Sequence, residues 1–328
     1  MLLICPVLSV CCLFPWSTDY SRNHTSGAPY HTTLGGRWSN NGHTLEFAKA
    51  NMVNLDIALD ESSAPSRATP FAFTPLEEGA KHAFPSLQPS ATKDLLTKWN
   101  LDQYTHARAF RFDQPFTPEA TEAFLLDFFA SPEVQSAAPV CVGKGNPRWG
   151  ALGAVAGPSS LKYEKLPTTV LRLDFFDRLS GEDGVVRQGD IMKCFDVQCG
   201  EVLVSDRLRK LFLDESSEEW ALYSDTERSE LIFHVLRRLA VGGGMNQYDD
   251  SVEPYLALTK ALYKDLVAVS KTAAGALQVS SLTFAVESVD GASSNLFPRP
   301  SPHNFCYVVV DPIARHVKMW YSAWFPMM

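Results

Sequence analysis

The sequence predicts an α+β fold: one compact domain with a helical middle and an antiparallel C-terminal meander, preceded by a poorly ordered leader. Three observations predict it. Strand-like apolar patterns fill the C-terminal part, at Leu282, Phe284 and Val286 and again at Phe305 to Val310. Helix-period patterns with capping residues fill residues 205–271. A composition of 45% hydrophobic and 20% charged residues over 328 positions is enough to bury a sizeable core, which excludes wholesale disorder.

The elements follow in chain order. Residues 1–69 are the leader; from residue 17 on they are rich in Ser, Thr, Asn, Gly and His with weak periodicity. The domain runs over 70–328 and opens on a short strand at Pro70 to Phe73. Leu95, Leu96 and Trp99 are spaced as on a helix over 92–99. Thr117-Pro118-Glu119 starts another, with a capping hydroxyl, a first-turn proline and an acid. Its apolar face is Ala120, Phe124, Leu125, Phe128 and Phe129, and Ser131-Pro132 ends it. Residues 137–160 read as a loop, and Leu171, Leu173 and Phe175 alternate with Arg172 and Asp174 as in a half-buried strand.

Ser205 or Asp206 opens the first of three central helices, with Leu208, Leu211 and Phe212 inward. Ser224 and Glu227 form a capping box for the second, which buries Leu231, Ile232, Val235, Leu236 and Leu239 and stops at Gly242-Gly243-Gly244. The third spans about 252–271, with Tyr255, Leu258, Leu262 and Leu266 on one side. Sequential strands then favour a meander.

The formal net charge of −8 opposes binding to phosphate backbones, and Arg207, Arg209 and Lys210 beside Asp206 and Asp214 read as a solvated face. Seven scattered cysteines fit reduced thiols in a cytosolic compartment. The apolar run Met1–Phe14 lacks a preceding Lys or Arg and is shorter than the roughly 20 residues a membrane span needs. With the sequon at Asn23 it leaves a secreted glycoprotein as an alternative, disfavoured by the missing basic segment.

Candidate chemistry is sparse. Gly143-x-Gly145 with Gly150 lacks the dinucleotide spacing, because Arg148 stands where the third glycine belongs. Cys194 and Cys199 are the best metal suspicion, with His234, Cys306 and His316 as possible distant ligands. Asp174/Asp177 and Asp249/Asp250 pair acids without a specific pattern, and no nucleophile-elbow or His-Glu-x-x-His motif is present. A metal-dependent enzyme using Cys194, Cys199, Asp249 or His316 is therefore the rival reading. Recognition is the leading one, through charged and aromatic residues Gln247, Tyr248, Asp249, Asp250, Tyr263, Lys264 and Asp265.

Those residues also carry a family resemblance. The run from Gly242 through Gln247-Tyr248-Asp249-Asp250, Pro254-Tyr255-Leu256, Thr259-Lys260 and Tyr263 to Val267 resembles cilia- and flagella-associated protein 300. Matching strings stand in the same order at Ala109 to Gln114, Phe175 to Leu179, Ile191 to Cys194, Ser205 to Arg209 and Val310 to His316. The resemblance covers about residues 70–328. It implies a protein of motile cilia, found in cytoplasm and along the axoneme, that is needed for outer and inner dynein arms. The partners it implies are dynein-arm assembly factors and axonemal dynein subunits. It assigns no catalytic residue and no cofactor.

Overall fold

A computed structural model describes residues 69–76, 82–137, 139–142, 148–151, 160–271, 275, 277–290, 296–297 and 299–324. The expectations about the leader before residue 69, the apolar start, the sequon and Gly143 and Gly145 lie outside the described residues.

The chain begins with β1 (Phe73–Pro75), α1 (Ser90–Lys98) and β2 (Thr105–Phe112). Next come α2 (Thr121–Ala130), α3 (Pro132–Ala137), a hairpin of β3 (Pro139–Val142) and β4 (Arg148–Ala151), and β5 (Ser160–Leu166). Two small ribbons follow, β6 (Val186–Arg187) with β7 (Asp190–Ile191), and β8 (Lys193–Cys199) with β9 (Val202–Asp206). The helical middle is α4 (Arg207–Leu213), α5 (Asp225–Arg228), α6 (Leu231–Val241) and α7 (Glu253–Leu266). A hairpin of β10 (Val269–Lys271) and β11 (Leu277–Val279) leads into β12 (Leu282–Asp290), β13 (Phe305–Asp311) and β14 (His316–Ser322).

One six-stranded sheet organises this, in the order β1-β2-β14-β13-β12-β5, and each pairing is antiparallel. The predicted meander is its β12-β13-β14 part. The continuous apolar run of β13 follows from burial on both faces, because successive side chains point to opposite sides. Phe305, Tyr307 and Val309 pack with α6 and α7, while Cys306, Val308 and Val310 pack with α2. The domain therefore has helices on both sides of a central sheet. On the α2 side Phe124 is the hub: its ring meets Phe71, Phe73, Phe112 and Phe116 edge-on at 4.9 to 5.2 Å.

Several local expectations are corrected. Leu173–Leu179 is a 3₁₀ segment, not a strand, and it buries Phe176 and Leu179, which recur at the three-residue period of that helix. The loop read over 137–160 contains α3's last residue, the β3–β4 hairpin and the first residue of β5. Thr117 makes no side-chain cap; a 3₁₀ turn, Pro118–Ala120, precedes α2, and the Thr121 hydroxyl donates to Pro118 O at 2.6 Å. The capping box of Ser224 and Glu227 is present, but it opens only the single turn α5. Helix α6 starts anew because Glu230 turns its carboxylate away, accepting from the Thr169 N–H at 3.0 Å, while the Leu231 N–H donates to Pro167 O.

Candidate functional site

The residues that suggested recognition are anchored by a buried polar hub between α1, α4, α6 and α7. It starts at Asp206, an extended residue whose carboxylate caps α4 by accepting from the Arg209 N–H at 3.0 Å. The same carboxylate accepts from Arg209 Nη1 at 2.9 Å, with both side chains 1% exposed. Arg209 then donates from Nε to Ala240 O at 3.0 Å and from Nη2 to the Tyr255 hydroxyl at 2.5 Å. A buried charge is tolerable only when its hydrogen bonds are met, and here three acceptors surround one guanidinium. The solvated face expected for Arg207, Arg209 and Lys210 is therefore corrected at Arg209. An acid at the cap three residues before an arginine was the available signal.

Tyr255 extends the hub toward the loop. Its ring stacks on Trp99 at 4.4 Å and 17°, and its hydroxyl accepts from the Asp249 N–H at 3.0 Å. Burial pushes the Tyr255 phenol up. The Asp249 carboxylate in turn accepts from Trp99 Nε1 at 2.7 Å and pairs with Lys98. Tyr248 lies over Arg209, whose guanidinium carbon is 3.9 Å from the ring centre. The loop approaches α1 closely enough to require glycine. Gly242 has φ +63° and a side chain there would meet Trp99 O at 2.6 Å, and one on Gly243 would collide with Asn100 O. Gly242 and Gly243 do more than cap α6: they let two backbones touch, while Gly244 makes room for the Trp324 ring.

The candidate residues thus divide. Tyr248 and Asp249 are half-buried members of the hub, and Gln247 and Asp250 are exposed beside them. Lys193 donates to Asp250 at 2.5 Å and holds that carboxyl below the usual carboxylate range. Tyr263 and Asp265 face inward, contrary to a surface role. The Tyr263 hydroxyl donates to Val170 O at 2.9 Å, and Asp265 accepts from the Ser86 N–H at 2.9 Å. Between them Lys264 is exposed.

Exposed apolar side chains add a feature that periodicity missed. On the ribbon next to Lys193, Phe195 is 95% exposed and Leu203 is 55% exposed. A register shift between Lys193 and Val197 marks an irregularity around Phe195, and such features re-aim side chains.

The suspected metal ligands are not gathered. Cys194 and Cys199 lie on β8, Asp249 sits in the hub, and His316 begins β14 opposite Asp311. Among the described residues no three His, Cys, Asp or Glu side chains converge. Burial pushes both ribbon thiols up, and Cys306 is pushed up further inside the core. Raised thiols are poor nucleophiles and poor ligands near neutrality. No helix among the described residues is long and apolar enough to cross a membrane.

The fold and the hub define a class: a three-layer α+β domain in which one buried ion pair, through the arginine's further hydrogen bonds, joins α4 to α6 and α7 beneath a partly exposed loop. The chain belongs to the cilia- and flagella-associated protein 300 family. The family's sequence profile, described as Cilia- and flagella-associated protein 300, matches residues 70–322. The protein of that name from Chlamydomonas reinhardtii is 37% identical over 261 residues, covering 78% of this chain and 98% of the relative. Its counterpart from Paramecium tetraurelia is 31% identical over 232 residues, covering 70% and 86%. No solved structure matches the chain.

Proposed function

We propose that the chain is a non-catalytic protein of cilia and flagella that acts in the assembly or delivery of outer and inner axonemal dynein arms. It works in the cytoplasm and at the axoneme by holding dynein-arm assembly factors and dynein subunits. The observation that supports this reading is the family membership over 70–322, joined to a loop whose exposed residues rest on a rigid base. The contact surface comprises Gln247, Asp250 and the exposed edge of Tyr248. The neighbouring ribbon that carries Phe195 belongs to it, since Lys193 ties that ribbon to Asp250. A rigid support matters because ordering a loop on binding costs affinity. Tagged chain should recover dynein heavy chains or assembly factors from ciliated-cell cytosol. The double variant Phe195→Ser with Asp250→Lys should lose them while melting like the wild type. Undiminished recovery by that folded variant would place the contact elsewhere.

A further inference from the structure

Helix α6 carries His234, Arg237 and Arg238 on one side, because residues three and four apart share a helix face. That side meets Tyr307 of β13. Arg238 Nε donates to the Tyr307 hydroxyl at 2.9 Å and its Nη1 donates to Pro302 O at 2.9 Å. His234 Nδ1 lies 3.1 Å from the same hydroxyl. Arg237 is different. Its Nε is buried without a hydrogen-bond partner, and no ion pair engages it among the described residues. The one carboxylate that acts on it is exposed Glu215, at a distance beyond an ion pair.

The contrast with Arg209 is instructive. That guanidinium, 1% exposed, has a carboxylate, a carbonyl and a phenol as acceptors. A buried donor without an acceptor is costly, and Arg237 Nε is one. Around Arg237 the neighbours are instead basic: burial, then Arg238, push its guanidinium down to about 10. Burial and the two arginines push the His234 imidazole down to about 3. His234, Arg237 and Arg238 are each half-buried rather than fully enclosed.

We propose that His234, Arg237 and Arg238, with the Tyr307 hydroxyl, form a binding site for an oxyanion, a phosphate or carboxylate group of a small molecule. The planar fork of Arg237 offers paired donors that match two oxygens of such a group. This site is independent of the dynein-arm reading.

The test uses the purified full chain at fixed ionic strength, titrated with inorganic phosphate in one arm and malonate in the other, with chloride as the control. Saturable binding of phosphate or malonate by calorimetry, with a rise in Tm that chloride does not give, is expected. The arm that binds identifies the anion as phosphate or carboxylate. Arg237→Gln should weaken binding at least tenfold, Arg237→Lys should weaken it less, and Glu215→Gln should strengthen it. The His234 ring resonances should titrate at higher pH when the anion is bound. Absence of saturable binding in both arms would overturn the site, as would binding unchanged in a cooperatively melting Arg237→Gln variant.

Discussion

Removing the guanidinium from the hub is the most informative perturbation of the fold. Arg209→Leu takes away every donor facing Asp206 except the backbone cap, and leaves that carboxylate 1% exposed with no counter-ion. Breaking one side of a buried pair costs about 3–5 kcal/mol, chiefly from the charge left behind. The Tyr255 hydroxyl and Ala240 O each lose a donor as well, but the Asp249 N–H and Asn246 Nδ2 still serve them, so their losses are small beside the stranded charge. These losses share one network, so they do not add fully. A total of about 4 kcal/mol is expected, against a typical domain stability of about 5–15 kcal/mol. Urea unfolding should show it as a lower midpoint at unchanged slope, and melting as a fall of about 8–16 °C. Replacing both partners, Asp206→Leu with Arg209→Leu, should recover part of the loss because no charge is stranded. A cost below about 1 kcal/mol for Arg209→Leu alone would refute the claim that this hub sets the base of the loop.

Other perturbations separate support from contact. Asp249→Ala should destabilise by about 1–3 kcal/mol, since it strands the Trp99 indole N–H, as urea unfolding will show. Phe195→Ser should change stability by no more than about 0.5 kcal/mol in the same assay, because the ring is already in water. Gly243→Ala should cost about 2 kcal/mol or more by melting, as its methyl would strike the Asn100 carbonyl. Stability should also fall on acidification. His234 is held near 3 and His106 near 4 by burial first, so the unfolded chain takes up protons near 6.5 where the folded chain does not. That stability is complete above about pH 6.5 and is lost progressively toward pH 4. His234→Gln should flatten the pH profile of the unfolding midpoint between pH 6.5 and 5.

What the sequence revealed follows from which interactions are local. The β12, β13 and β14 patterns were legible because both faces of a central strand must be apolar, and that writes itself into consecutive residues. The capping box at Ser224 was legible for the same reason, as its two bonds span three residues. The break after α5 was not, because Glu230 is held by Thr169, 61 positions away. Leu171, Leu173 and Phe175 read as a strand because three alternating positions are too few to tell that pattern from the three-residue period that buries Phe176 and Leu179. The site was half legible. Gln247 to Asp250 do lie together, but the partners that decide their exposure, Trp99 and Arg209, come from distant elements. Tyr263 and Asp265 turned inward for a similar reason: their hydrogen-bond partners are Val170 and Ser86.

The most direct measurement of the proposed role is the number of dynein arms per axonemal repeat in motile cells that lack this protein. The account predicts that both outer and inner arms are depleted. The wild-type chain should restore them, while the folded Phe195→Ser, Asp250→Lys variant should not. Axonemes with a full complement of arms in the absence of the protein would contradict it.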